Sequence, residues 1–519
     1  MVKFDPPNMS ENVEGWGPAL DIPPEKFRDM PYAPFSKSDR LGRAADWTNQ
    51  GRHGRVDDGE FMDDDNAGFQ VVDHRQPARQ FNFGYRPRDR DQGQRNRQWN
   101  DRDNYRKEFR RDGRRYGGRY DDRRNQIREA SVEVGDDWVL LEEIPFSTLA
   151  KCRMDNVPEG ETVRECGSLE YYDKGSERIS CKMEKPLKRF EHRAFHYVTT
   201  IEDPVIEELA SESTGTVYAT STILALLMAS TRTAYPWDIV VQRANDMLFL
   251  GKRDGSQIDL QTVNETAQDQ PKEEKNASPE EKINTVRHLA IEATQINQNF
   301  SQAMLIEGDR YKFPNANPFI TEGQEEASVA YRYRKWKLDK DVSLVARCEI
   351  DGAIKASGND EEPQFLVIKA LNEVMDPNAR QVTDWRGKLD THRGAILATE
   401  VKNNGAKVAR WIIQAMLSGA DRMQIGFVSR MNPRDNTSHV VLGTQLYKPR
   451  EFASQNSLVQ STFWGILKRI IDICFKRIPN GGKGVILKDP NSQILRFYLV
   501  PEDAFEEDEN FEDDDEMGN

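Results

Sequence analysis

Residues 344–352 read LVARCEIDG, and residues 394–404 read GAILATEVKNN. Each run has an apolar half followed by a charged one, as a strand does when it leaves a core. Alternation along a strand sends residues i and i+2 to one face. Glu349 and Asp351 then point together, and so do Glu400 and Lys402. Three carboxylates and a lysine meeting at one place is how a two-metal phosphodiesterase holds its divalent ions and the attacking water. The E-x-D pattern is also at home on a solvated strand, so both readings stay open.

The surroundings of these runs set the domain organisation. The chain has 519 residues, of which 37% are apolar, and the apolar ones are unevenly spread. Residues 1–130 are rich in Gly, Asp, Arg and Asn and cannot bury enough apolar surface to offset their ordering entropy. From 131 to 501 strand and helix patterns are continuous, enough for one substantial core of mixed α/β type. Strands are expected over, among others, Ser131–Leu141, Trp237–Gln242, Ser328–Trp336, Ser343–Ile350, Phe365–Leu371, Ala395–Val401 and Met423–Ser429. Helices are expected over Asp203–Ser211, Ser221–Ser230, Ile283–Phe300, Trp385–Arg393, Val408–Leu417 and Leu458–Ile478. The last carries Trp464, Leu467, Ile470, Ile471, Cys474 and Ile478 at helical spacing, the mark of a core helix.

The net charge of −14 is unevenly distributed too. The last nineteen residues hold eleven acids and no base, whereas Arg86–Arg124 hold fifteen basic residues against eight acids. In that basic stretch Trp99, Tyr105, Phe109, Tyr116 and Tyr120 alternate with arginines, a composition suited to phosphates and stacked bases of single-stranded RNA. Two solubilising tails are the plainer alternative. Residues 1–48 are punctuated by proline but carry Trp16, Phe27, Tyr32, Phe35 and Trp47, as a segment does that docks in extended form on a partner or folds back on its own domain.

Five scattered cysteines (Cys152, Cys166, Cys181, Cys348, Cys474) without C-x-x-C argue against a zinc module or a disulfide framework. The longest apolar stretch, Thr222–Ala229, is too short to span a bilayer, and no signal peptide is evident, so a cytoplasmic protein without a membrane partner is expected. Asn480-Gly-Gly-Lys-Gly484 reads as a hairpin turn and lacks P-loop spacing. His192 and His196 have no third ligand nearby. In residues 330–336, AYRYRKW, alternation sets Arg332 and Arg334 on one face and Tyr331 and Tyr333 on the other; such a strand suits phosphate contact or a salt-bridge ladder. A polar, acidic insertion runs from Gly255 to about Glu281, long enough to be a functional loop or simply a solvated one.

The phrases GWGP at 15–18, KFRDMPYAPFSKSDRLGRAADW, LEYYDK, WDIVVQR, EATQINQNFS, KFPNANPF, SVAYRYRKWKL, ATEVKNN, FASQ and LKDPN together resemble the family of the d-type component of eukaryotic translation initiation factor 3. The resemblance implies a non-enzymatic member of a multi-subunit complex on the small ribosomal subunit, with other subunits and capped messenger RNA as partners. It implies a cap-binding core folded like the decapping exonucleases, with two mostly antiparallel sheets flanked by helices, a disordered N-terminal arm and an acidic tail. The domains would then be a docking arm (1–48), an Arg-rich RNA-contacting segment (49–130), the cap-binding domain (131–501) and the tail (502–519).

The decapping enzymes carry a G-aromatic-x-aromatic-E strand, an E-x-D strand, an E-x-K strand and a glutamine on the next helix. Here these positions would be Ala330 to Arg334, Glu349/Asp351, Glu400/Lys402 and Gln414. Arg334 would replace a metal-binding carboxylate, so neither metal nor cofactor nor hydrolysis is expected. The cap contacts implied by the resemblance are Ser221, Ala234 and Tyr235 from one helical region and Thr294, Asn297 and Gln298 from another. Tyr235 would stack on the methylated base. An RNA gate would comprise Gln257, Ile258, Asp259, Leu260, Gln261, Thr262, Val263, Asn264, Glu265, Thr266, Ala267, Gln268, Asp269, Gln270 and Pro271. The rival readings are a metal-dependent hydrolase of RNA 5′ ends, using Glu349, Asp351 and Glu400, and a scaffold that touches no RNA.

Overall fold

β-branched and aromatic residues in alternation give seventeen strands among the described residues. The computed structural model describes residues 128–505 apart from 274, 276, 321–322, 357–361 and 375–383. The docking arm, nearly all of the Arg-rich segment and the acidic tail beyond Phe505 therefore lie outside the described residues. In chain order the strands are β1 (Val139–Pro145), β2 (Glu161–Tyr172), β3 (Lys185–Pro186), β4 (Arg193–Ala194), β5 (Val217–Thr220), β6 (Trp237–Ala244), β7 (Met247–Gly251), β8 (Leu305–Lys312), β9 (Glu325–Glu326), β10 (Val329–Lys337), β11 (Ser343–Ile350), β12 (Gly352–Ile354), β13 (Gln364–Asn372), β14 (Arg422–Arg430), β15 (His439–Tyr447), β16 (Lys483–Lys488) and β17 (Ile494–Val500). The helices are α1 (Phe146–Leu149), α2 (Pro204–Ser211), α3 (Ser221–Met228), α4 (Val286–Ala303), α5 (Trp385–Asn403), α6 (Gly405–Ser418), α7 (Pro449–Gln455) and α8 (Gln460–Arg477).

Fifteen strands join into one mixed sheet, and β4 and β9 pair separately. The pairing is mostly antiparallel, as expected, but the expectation of two sheets is corrected to one large sheet and a two-stranded one. The physical reason is β2, which is long enough to serve both halves. Its residues 161–168 pair with β10, 168–172 pair with β8, and Tyr171 pairs with β12. Gly167 lies where β2 turns from one set of partners to the other, at φ +97°, a backbone that side chains resist. Parallel pairs (β5 with β7 and β11, β13 with β14) sit among antiparallel ones.

Helices cover the sheet where their apolar stripes fit. α3 is apolar almost all round and is buried among α6, α8 and the strands, with Leu224, Leu227, Ile413, Leu467 and Ile470 in one core. α4 lays Ile296 and Phe300 against Ile368 and Ala370 of β13, and Gly426 of β14 leaves the space that the Phe300 ring fills.

Residues 395–401 are not a strand. They belong to α5, whose buried Trp385, Leu389 and Ile396 recur at helical intervals. The Asn480–Gly484 turn joins α8 to β16 rather than two strands. Residues 502–505 pack on the core instead of starting a free tail: Lys483 Nζ donates to the carbonyls of Glu502 (3.0 Å) and Ala504 (2.5 Å).

Candidate functional site

β11 ends at Ile350 and β12 begins at Gly352. Pairing with β5 ends at Arg347, and at Asp351 the chain stops pairing with β10 and starts pairing with β13 and β2. Beyond that point the facing edge of β13 has side chains for partners. The Asp351 carboxylate accepts the Ile368 N–H at 2.7 Å. Asn297 accepts the Ala370 N–H at 2.9 Å and donates to the Ala370 carbonyl at 3.1 Å, so one side chain imitates a strand neighbour.

A cavity of about 110 Å³ lies here, lined by Arg347 and Glu349 of β11, Asp351, Lys369 of β13, Thr294, Asn297 and Gln298 of α4, and Arg410 and Gln414 of α6. Tyr197, Lys252 and three residues of the 257–271 segment, Ile258, Asp259 and Gln261, are also in the wall. Glu349 is half-buried, and loss of water pushes its carboxyl above the ordinary range although Arg347 and Lys369 pull the other way. Lys369 Nζ lies 3.4 Å from Asp351. Arg347, 3% exposed, is held at the cavity wall by two bonds: it donates to Asp203 at 2.6 Å and to the Val198 carbonyl at 2.6 Å. Asp203 in turn caps α2 through the Val205 N–H (3.0 Å) and accepts the Tyr333 hydroxyl (3.0 Å). His196 also faces the cavity, with its Nε2 unpartnered.

Three expected site residues are elsewhere. Arg334 pairs across from Ala346, on the face opposite Glu349. Its guanidinium donates to the Leu417 carbonyl (2.7 Å) and the Gly160 carbonyl (2.6 Å), so it does not stand beside the carboxylates. Glu400 and Lys402 are in a helix, where residues two apart diverge. Glu400 bonds Asn404 Nδ2 (3.1 Å), and burial raises its pKa to about 7 against the pull of Lys407, while Lys402 is exposed. The lysine at the site is Lys369, and the same-face position two residues before it holds Val367, an apolar core residue. Gln414 is at the cavity, donating to Thr222 Oγ1 at 3.1 Å. A lone lysine inside an apolar strand, VIKAL at 367–371, was the available signal for Lys369. Arg410 and Tyr197 had none.

Among the described residues no three His, Cys, Asp or Glu side chains gather in a way that holds a metal ion. Glu349 and Asp351 have Arg347 and Lys369 beside them, and a further carboxylate near Glu349, Asp259, is ion-paired to Lys252. The donor set therefore does not fit a two-metal centre.

The residues expected to touch a cap divide into two groups. Thr294, Asn297 and Gln298 line the cavity, with Gln298 Nε2 donating to the Tyr197 hydroxyl at 2.7 Å. Ser221 is buried in the first turn of α3, whose Thr222, together with the N-cap Thr220, lines the cavity. Ala234 and Tyr235 precede β6 and sit under the 257–271 segment, which connects both groups. Gln261 N–H donates to Thr294 Oγ1 (2.9 Å), and the Glu265 carboxylate accepts the Ala234 and Tyr235 N–H groups at 2.7 and 3.0 Å. The Arg128 guanidinium stands 5.3 Å over the Tyr235 ring. The segment is latched to the α5–α6 corner: Asn264 N–H donates to Asn404 Oδ1 (2.9 Å) and Thr266 Oγ1 to the Lys402 carbonyl (2.7 Å).

The chain matches the family described as eukaryotic translation initiation factor 3 subunit 7 (eIF-3) over residues 4–499. It is 45% identical over 535 residues to the D subunit of eukaryotic translation initiation factor 3 from Bombyx mori, covering 99% of this chain and 95% of that one. It is 44% identical over 545 residues to the Homo sapiens D subunit, covering 98% and 97%. Among solved structures it is similar to Scheffersomyces stipitis Rai1 in complex with (3'-NADP)+ and calcium ion, at a TM-score of 0.43 and 12% identity, covering 72% of this chain and 95% of that chain. A similar likeness to K. lactis Dxo1 in complex with manganese has a TM-score of 0.36 and 11% identity, covering 70% and 96%. On the extent and identity of the sequence matches, the chain belongs to the D-subunit family of eukaryotic translation initiation factor 3.

Proposed function

We propose that this translation initiation factor subunit holds the capped 5′ end of messenger RNA and does not cut it. The observation that carries this reading is the 257–271 segment, whose Gln261 and Glu265 bond Thr294, Ala234 and Tyr235. A cover bonded to the residues of a binding surface acts as a gate, displaced when ligand takes the same bonds. The cavity beneath offers an uncharged polar face on α4 and sets the cations Lys252, Lys369 and Arg410 among the carboxylates Asp259, Glu349 and Asp351; the polar face with these cations suits a nucleotide with phosphates. The chain would work within the initiation factor 3 complex in the cytoplasm, its N-terminal arm on a neighbouring subunit and its Arg-rich stretch on RNA at the small ribosomal subunit.

The test is a crosslink between radiolabelled capped RNA and the assembled complex, competed with free cap analogue. Tyr235→Ala with Gln298→Ala is expected to abolish the competable signal; an unchanged signal overturns the assignment. A second reading, a hydrolase, is favoured only by the raised carboxyl of Glu349 beside Asp351. Incubation of the chain with capped and 5′-phosphorylated RNA in manganese decides it: release of cap or nucleotide that disappears in Glu349→Gln would establish an enzyme.

A further inference from the structure

The carboxylates of the covering segment do more than fill space. Glu265 is 3% exposed, and its Oε1 is the acceptor for two consecutive backbone N–H groups, those of Ala234 and Tyr235, while Oε2 takes the Thr262 hydroxyl at 2.8 Å. Consecutive amides aimed at one oxygen form a concave anion seat. Three cations anchored in the core, Lys407 and Arg410 of α6 and Lys488 of β16, feel the same carboxylate. Burial lowers the pKa of each, to about 8 for Lys407 and Lys488, and Glu265 offsets part of that. Lys488 Nζ also donates to the Ala234 carbonyl at 2.9 Å, so one residue carries both the anion seat and a cation. Asp259 repeats the arrangement nearby, ion-paired to Lys252 and close to Arg410.

The backbone beside Glu265 is held rather than relaxed. Asn264 has φ +52°, a left-handed conformation that asparagine tolerates at some cost, and its N–H is tied to Asn404. Lifting the segment takes Glu265 and Asp259 away, leaving two amides without an acceptor and Arg410 without its carboxylates, while Lys407 and Lys488 keep only Glu400 and Asp489. Such groups are costly to leave unpaired, so displacement is cheap only if another anion arrives.

We infer that Glu265 occupies a phosphate subsite, in which the Ala234 and Tyr235 amides with Lys407, Arg410 and Lys488 receive a phosphate of the RNA 5′ end once the 257–271 segment is displaced. Segment and RNA thus exchange one anion for another. This rests on the cap-binding reading and adds to it the seat of the phosphate chain.

Fluorescence anisotropy with the full chain and three RNAs of one sequence, bearing a 5′-hydroxyl, a 5′-triphosphate or a cap, tests the exchange. Glu265→Gln keeps the shape of the side chain and removes its charge. It is expected to tighten binding of the triphosphate and capped RNAs about tenfold, the scale of one charge-assisted bond, and to leave the 5′-hydroxyl RNA unchanged. Asp254→Asn removes the same charge from an exposed position just before the segment and is expected to change nothing. Equal gains in both variants, a gain for the 5′-hydroxyl RNA, or no gain in a folded Glu265→Gln chain overturns the inference. Should Glu265→Gln fail to fold, Thr262→Val, which only frees Oε2, decides with an expected gain of about twofold. A gain for triphosphate RNA without any preference for cap supports the phosphate seat and refutes the cap reading. A cap preference untouched by Glu265→Gln does the reverse.

Discussion

Asn297 offers the sharpest quantitative test, because its amide works as a missing strand. Three bonds define it: the Ala370 N–H to Oδ1 at 2.9 Å, and Nδ2 to the carbonyls of Ala370 (3.1 Å) and Ala293 (2.8 Å). Asn297→Ala removes all three. The Ala293 carbonyl still has its helical partner, so two buried backbone groups of Ala370 are left unpaired, at about 1–3 kcal/mol each. The neighbouring cavity admits water to relieve part of this, which places the expected loss at about 3 kcal/mol. Urea unfolding of the isolated chain reads the total, and hydrogen exchange reads the site, since the Ala370 amide should lose its protection. A loss below about 1 kcal/mol with Ala370 still protected would refute the role assigned to Asn297. The outcome bears on function, because a missing cap crosslink in an Asn297 variant would then report a collapsed cavity wall and not a lost contact.

Two further predictions concern buried charge. Asp203→Asn breaks the pair with Arg347, both members 3% exposed or less, and weakens the α2 cap; it should cost about 3–5 kcal/mol by urea unfolding, and a loss under about 1 kcal/mol would show Arg347 to be adequately solvated. Glu400 has a folded pKa raised from 4.5 to about 7, so its contribution is full below about pH 4.5 and is lost as pH rises through 7. The unfolding midpoint should therefore fall between pH 5 and 7 in wild type and fall less in Glu400→Gln; identical slopes would sink the assignment.

What the sequence made legible follows from which forces are local. Glu349 and Asp351 share one cavity wall, as alternation leads one to expect, because the extended run of β11 continues to its end. Gln414 was named only through the resemblance; it lies at the cavity, off the buried stripe of α6. Glu400 and Lys402 were misplaced because Ala395-Ile396-Leu397 fits either period over so short a window, and the helix resumes after a break at His392. Arg334 was misjudged for a different reason. Its alternation was right, but which face of β10 meets the carboxylates depends on the register with β11, which pairs Tyr331 with Glu349. The single continuous sheet was not legible, because it depends on β2 changing partners at Gly167, and strand partners are distant in sequence.

The wedge beside β13 carries one more consequence. An open strand edge is a template on which any extended peptide can add itself. Here Asp351 already holds the Ile368 N–H, and Asn297 holds both groups of Ala370. A passing polypeptide finds no ladder to climb. The groove stays open because a strand was left out of it, and stays clear of peptide because two side chains have answered the backbone in that strand's place.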